Sequence, residues 1–385
     1  MKDYRRQKTG LGDPLLIPLS RPFFDEQVFA SVKRILAGHQ FSRSLVADQT
    51  EQLLCQLTSS RFALLTNSCT SSLHASLVAL GVTTGDAVFV SSYSWQATAN
   101  VIEIVGATPV FVDIDPRTFN MNPLELEVEI QRVLRKGDLV PRAVLLVHAF
   151  GLLADLPAID RIAKHHKLEL LEDAACALGA VGPLGPAGAV GSMGCFSFHP
   201  RKLITCGEGG AIITQREDLF ERASRFCDHG RARNSAGGFR DIGLNYRLSE
   251  IAAALLLPQL EMIDSLLAER RSIAANYQSL LSELPVVSPM ESGTLHSWQS
   301  YVIRLDDYRR RDDLISYCRS VGIELGQGTI SMPFTEYFQQ KYGDLRSQLP
   351  VLARTEKSLV SLPLFAGISL QQQELVVSHL KRVLM

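Results

Sequence analysis

An α/β fold built on a mostly parallel sheet, covered by helices, is what this sequence predicts, and three observations predict it. Between residues 62 and 214 short apolar runs recur, and several are apolar throughout rather than alternating. Such runs belong to strands buried on both faces, as in parallel sheets. Helix-length stretches separate most of them, which is the spacing of βαβ crossovers. The chain also has 385 residues, of which 46% are hydrophobic and 21% charged. Those values are ordinary for a globular protein and allow two or three domains, and they exclude disorder or a collagen-like repeat.

The elements follow in order. FALLT at 62–66 is the first strand, followed by a Ser/Thr cluster and a helix ending at Gly81. AVFVS at 87–91 leads into a helical stretch to Gly106, and PVFVDI at 109–114 precedes a helix opened by Asn122 with Pro123 in its first turn. AVLLV at 143–147, a helix near 156–166 and LELL at 168–171 continue the alternation. CFSF at 195–198 and AIIT at 211–214 are two more strands, joined by a glycine-containing connection. Ser249 is a good N-cap for a long helix running towards Leu281, with a kink expected at Pro258. Beyond Pro285 the texture changes: a strand at 300–305, a helix at 312–320 and a closing helix at 371–384. We therefore expect an N-terminal segment at 1–30, a large domain at 31–265 and a smaller C-terminal α/β domain at 266–385.

Charge and cysteine content narrow the function classes. Lys plus Arg total 39 against 40 Asp plus Glu. No basic excess exists to neutralise a phosphate backbone, so nucleic acid is not an expected partner. The seven cysteines, at 55, 69, 176, 195, 206, 227 and 318, are odd in number and form no C-x-x-C pair. This disfavours a zinc ribbon or a disulfide framework and suits a reducing compartment. The polar stretch MKDYRRQKTGLGDP at the start lacks the apolar centre of a signal peptide, and no apolar run approaches bilayer-spanning length. A soluble cytoplasmic protein, with no metal site and no membrane partner, is the expectation.

In open α/β sheets ligands bind beyond the carboxyl ends of the strands, so the polar groups there are the candidates. NSCTSSLHASLVALG at 67–81 opens a helix with hydroxyls and free backbone N–H groups, which suits a phosphate as well as ordinary N-capping. Glu172-Asp173-Ala174-Ala175 follows a strand, where an acid could pair with a buried cation. The segment GSMGCFSFHPRKLITCGEGGAIIT at 191–214 places Ser197, His199 and Lys202 at a strand exit before a glycine-rich run. A lysine there is either a solvated surface residue or a Schiff-base lysine in a desolvated setting. The glycines lack the G-x-G-x-x-G spacing of a dinucleotide site. Trp95 lies just past a strand end, and Asn245 in GLNYRLSE precedes a helix. The order along the chain says more than any member of it. A phosphate-type helix start, an aromatic, a strand-end Asp, a Ser-x-x-x-x-Lys and an Asn-x-Arg are the parts a pyridoxal phosphate enzyme needs.

On these residues the chain resembles the sugar aminotransferases of the DegT/DnrJ/EryC1/StrS group, which are fold type I pyridoxal phosphate enzymes. The resemblance extends from IPLSRPFFDEQ at 17–27, through VFVDIDPRTFNMNP at 110–123 and VHAFGLLADL at 147–156, to SLPLF at 361–365. Its most specific block is FSFHPRKLITCGEGGAIIT at 196–214. The resemblance implies pyridoxal 5'-phosphate as cofactor, with Lys202 as the Schiff-base lysine and Asp173 as partner of the pyridinium nitrogen. It places the backbone amides of Thr70 and Ser71 and the hydroxyl of Ser197 at the phosphate, and Trp95 on the ring. It brings Asn245 from a neighbouring subunit to the phosphate, which implies a homodimer with shared sites.

Three positions depart from the family pattern. Cys176 stands where relatives carry Gln or His beside the cofactor's phenolic oxygen, and thiols are weaker hydrogen-bonding groups. Ser68-Cys69-Thr70 replaces Ser-Gly-Thr, which the backbone tolerates if φ at Cys69 is negative. Gly328-Thr329-Ile330 replaces a His-Tyr-Pro stretch that borders substrate in relatives. The implied activity is transfer of an amino group from glutamate or glutamine to a keto sugar carried on a nucleoside diphosphate, in amino-sugar or polysaccharide biosynthesis. The alternatives are a keto sugar without a nucleotide and a cofactor-binding regulatory or sensor protein without turnover. A dehydratase of the same fold is disfavoured by Lys202, since those relatives carry His there. A nicotinamide oxidoreductase is disfavoured by the missing glycine fingerprint.

Overall fold

The computed structural model describes residues 17–232, 238–290 and 293–385. Its centre is a seven-stranded sheet in the order Phe62–Thr66, Gly210–Thr214, Met193–Ser197, Glu169–Asp173, Val140–Val147, Asp86–Ser91, Thr108–Val112. The last five pair in parallel with one another. Gly210–Thr214 runs antiparallel to both strands beside it. The physical reason lies in the connections. Parallel neighbours need a long crossover, whereas the loop 198–209 has no helix and simply turns the chain back.

Alternate residues of each strand feed opposite faces, and each face has its own core. Ala87 and Phe89 enter one apolar cluster, while Val88 and Val90 enter the other. The expected helices form, with Asn122 accepting from the Leu124 amide and Ser249 from the Ala252 amide as N-caps. Three further helices, Glu26–Gly38, Leu45–Thr58 and Glu217–Cys227, complete the layers around the sheet.

The long helix breaks in a different place from the one expected. Helices Glu250–Glu261 and Ile263–Leu280 meet at 64°. The break falls at Met262, one turn beyond Pro258, which lies inside the first helix. Proline removes its own N–H and crowds the carbonyl four residues earlier, but the helix survives that loss. It ends where the Met262 amide turns to the Leu260 carbonyl. No single helix among the described residues is long and apolar enough to cross a membrane.

A third apolar cluster surrounds a three-stranded sheet of Val286–Val287, Tyr301–Leu305 and Leu359–Leu362, with Leu370–Leu384 against it. Its members start at Ile273, apart from Ile17, which pairs with Ile323. We propose the domain boundary near residue 265 on that basis. The C-terminal part also reaches back, because Phe338, Leu349 and Leu352 belong to a core of the large sheet. The short strand Ile330–Ser331 pairs with Tyr93–Ser94.

Candidate active site

A cavity of about 670 Å³ opens at the carboxyl ends of the central strands. Thr70, Trp95, Asp173, Cys176, Ser197 and Lys202 all line it, drawn from separate stretches of the chain. The fold gathers them because each follows a strand end or loop on the same edge of the sheet.

Helix Cys69–Ala79 starts at the cavity, with Ser68 as N-cap. The Ser71 amide donates to Ser68 Oγ at 3.1 Å, and the Ser71 hydroxyl donates to Asn67 Oδ1 at 2.6 Å. Ser71 is therefore held by its own turn in this structure. The amides of Cys69 and Thr70 occupy the first positions of the helix, where no intrahelical acceptor exists. Cys69 has a negative φ, so its replacement of glycine costs nothing conformationally. Gly210 packs here so closely that a Cβ would lie 2.5 Å from the Cys69 nitrogen. That close approach lets the glycine-rich strand face the helix terminus. Ser197 ends the neighbouring strand, its Oγ 3.4 Å from the His199 amide.

Asp173 is the last residue of its strand and only 4% exposed. Its carboxylate accepts from Thr98 Oγ1 at 2.8 Å and from the Ala175 amide at 3.2 Å. Burial nevertheless pushes its pKa above the ordinary aspartate value. A carboxylate offers about four acceptor sites, so this one can still take a cationic donor. Its strand neighbour Glu172 points to the opposite face. There it accepts from the amides of Gly188, Val190 and Gly191 and contacts His148 Nε2 at 2.9 Å.

Lys202 lies in the loop after Ser197, and its Nζ donates to Cys176 Sγ at 3.1 Å. Burial pulls the ammonium's pKa down, but Cys176, Cys69 and Asp173 more than offset this, so the net shift is upward. The Cys69 thiol moves well above its ordinary value, through burial first and Asp173 second. Trp95 stands at the rim, 66% exposed. Gly328 and Thr329 form part of the wall, where the Thr329 amide donates to the buried Tyr93 hydroxyl at 3.0 Å. Gly328 has φ +79°, and a Cβ there would sit 2.5 Å from that hydroxyl. Asn245 does not line the cavity of its own chain; it is exposed, and its carbonyl accepts from Asn67 Nδ2 at 3.4 Å. Gln299, at the entry to a C-terminal strand, also lines the cavity. Nothing in the sequence pattern marks it, because a single amide in a polar stretch has no periodicity to read.

Comparison with known proteins places this geometry among aminotransferases. The model of the DegT/DnrJ/EryC1/StrS aminotransferase family matches residues 22–381. A DegT DnrJ EryC1 StrS aminotransferase from Brucella abortus superposes with a TM-score of 0.88 at 29% identity, covering 93% of this chain and 95% of that one. PseC of Helicobacter pylori, an aminotransferase involved in pseudoaminic acid biosynthesis, has a TM-score of 0.89 at 25% identity, covering 96% and 99%. A Streptococcus pneumoniae protein described as a sugar aminotransferase, in its PLP form, has a TM-score of 0.89 at 23% identity, covering 95% and 98%. At that identity the last likeness is one of fold.

Proposed function

The chain belongs to the DegT/DnrJ/EryC1/StrS aminotransferase family, as a pyridoxal phosphate-dependent sugar aminotransferase, and on that premise we propose that it transfers the amino group of glutamate or glutamine to a nucleoside diphosphate-linked keto sugar. The observation that carries the reading is the meeting of Lys202, Asp173 and an open helix terminus in one cavity. The residues fit the cofactor. Asp173 is a buried carboxylate with acceptor capacity to spare, and the missing side chain of Gly210 leaves the Cys69 amide uncrowded.

When bound, pyridoxal phosphate supplies an electron sink that lets a proton leave the α-carbon of the donor. Thr70 and Ser197 would hold the phosphate, with the Cys69 amide beside them, and Ser71 would join them only by releasing Ser68 Oγ or Asn67 Oδ1. Asp173 would keep the ring nitrogen protonated, and a cation there relieves the desolvation of its own carboxylate. Trp95 would cover one face of the ring, and Cys176 would lie beside the phenolic oxygen. The Lys202 amine would take the proton from the donor α-carbon as general base and return it as general acid. Cys176 Sγ, which accepts from that amine at 3.1 Å, would orient it. Asn245 of the partner subunit would reach the same phosphate.

The test begins with colour. The purified protein should absorb in the visible, and borohydride should bleach it and leave the label on Lys202 by peptide mass. Lys202→Ala should lose turnover while still binding cofactor through its phosphate. The protein is then loaded with pyridoxamine phosphate and offered keto sugars, nucleotide-linked and free. Recovery of the aldehyde spectrum with the linked sugars supports the reading. Recovery only with free sugars overturns the nucleotide linkage, and borohydride label on another residue overturns Lys202.

A further inference from the structure

Lys202 sits in a loop with neither helix nor strand to fix it. Within the loop its amide bonds the His199 carbonyl at 2.9 Å. The polar groups on either side are taken by one side chain from 98 residues away in sequence. Gln299 Oε1 accepts from the Leu203 amide at 3.0 Å, and Gln299 Nε2 donates to the Arg201 carbonyl at 2.6 Å. An amide has one accepting and one donating end, and here each faces its complement, so the orientation is fixed by chemistry.

The segment around Gln299 is itself braced. Buried Arg270 donates through Nη1 to the carbonyls of Trp298 at 2.8 Å and Gln299 at 3.1 Å. Trp298 has φ +51°, a left-handed conformation that is costly for a bulky residue and is kept only where its surroundings impose it. It is stacked between His296 and Tyr301. Ser297 Oγ donates to the Cys176 carbonyl at 2.9 Å. That approach requires glycine at 151, where φ is +100° and a Cβ would lie 2.3 Å from Ser297 Oγ. One three-residue stretch therefore grips the Cys176 backbone and the backbone on both sides of Lys202.

We infer that Gln299 is a positioning residue for the reaction, which clamps the backbone on both sides of Lys202 and, with Ser297 on Cys176, sets the distance between the lysine amine and the Cys176 sulfur. A purely structural glutamine would stabilise the loop and nothing else. A positioning glutamine changes how the lysine behaves towards its neighbours. The inference rests on Lys202 as the cofactor-bearing lysine, so one readout is taken where cofactor plays no part.

In the apoenzyme Lys202 Nζ donates to Cys176 Sγ at 3.1 Å, so the reactivity of that sulfur towards iodoacetamide reports where the amine stands. Gln299→Leu, which keeps the bulk and loses both hydrogen bonds, should change the rate of Cys176 alkylation about fivefold or more. Labelling of Cys55, which is remote from the cavity, should be unchanged when both are read by peptide mass. In the loaded enzyme kcat should fall about ten- to a hundredfold, the cost of a misplacement of ångström size. KM for the donor should stay within about threefold, because the clamp touches no substrate. Gln299→Asn, too short to span both partners, should give an intermediate effect and serves if the leucine variant fails to fold. Unchanged Cys176 alkylation and unchanged kcat in whichever variant folds, with only the melting temperature lowered, would overturn the inference. Loss of the alkylation effect bears on the clamp alone, whereas a borohydride label away from Lys202 bears on the proposed function alone.

Discussion

A carboxylate at a strand end beneath a cavity is useful only if something keeps it charged, and Asp173 shows what the protein spends on this. Burial raises its pKa above the ordinary value of 3.8, while Thr98 and the Ala175 amide recover part of the loss. The sign of the linkage follows. A folded-state pKa above the unfolded one means that the folded apoprotein binds this proton more tightly. The stability Asp173 contributes is then complete below 3.8 and is lost as pH rises through the raised folded value. Asp173→Asn cannot titrate and should remove that part of the slope. Melting temperatures of the two apoproteins, measured from acid to neutral pH, should converge at the acid end and diverge in favour of the variant above it. Cofactor should stabilise the wild type more than the variant, and should react with donor orders of magnitude faster in it. Parallel melting curves, with equal gains on loading, would remove Asp173 from the pairing with the ring nitrogen.

At the scale of elements, the strands were the most legible part, because a strand buried on both faces is apolar at every position. Direction was not legible: AIIT at 211–214 reads like its neighbours, yet its strand is antiparallel because the loop before it is short. Helices Glu26–Gly38 and Leu45–Thr58 were not legible, since the exposed apolar residues Phe29, Leu36 and Leu45 blur their buried stripes. In the site, Lys202, Asp173 and Ser197 could be read from their order behind the strands, whereas Gln299 and Ser297 act through backbone contacts that leave no pattern. Glu172 is a related case. Its sequence neighbours suggested one strand-end acid, but strand alternation gives two, one for each face. Glu172 binds the loop through Gly188, Val190 and Gly191 and is fully buried. Glu172→Gln would turn an amide donor towards those N–H groups and orphan at least one. The expected cost is about 1–3 kcal/mol for each orphaned donor. Denaturant unfolding should show that loss with the m-value unchanged. A variant as stable as wild type would mean that the loop finds other acceptors.

At the scale of the whole molecule, the exposed apolar side chains bear on assembly. Phe239, Leu244 and Ile242, the last 91% exposed, stand out on one stretch next to Asn245, and Phe23, Phe24, Phe29 and Phe41 are exposed as well. Exposed apolar side chains beside Asn245 are what a face that meets another copy would carry. Asn245 is absent from the wall of its own cavity, as a residue that serves the neighbouring site would be. We propose a homodimer in which each Asn245 reaches the partner subunit's phosphate. An amide donating to a phosphate is a charge-assisted hydrogen bond worth about 1.5–3 kcal/mol, or roughly a ten- to hundredfold loss of cofactor affinity for Asn245→Ala. Mixing Lys202→Ala with Asn245→Ala chains then discriminates between arrangements. If Asn245 acts across the interface, the heterodimer has one site with both defects and one with neither. At a cofactor concentration that saturates only intact sites, it should recover about half the wild-type activity per dimer, since one intact site remains of two. If Asn245 acts within its own chain, every site carries one defect and mixing restores nothing. A verified heterodimer without recovery, or an active monomer in sedimentation, would rule out the shared site and leave Asn245 as a turn residue beside Asn67.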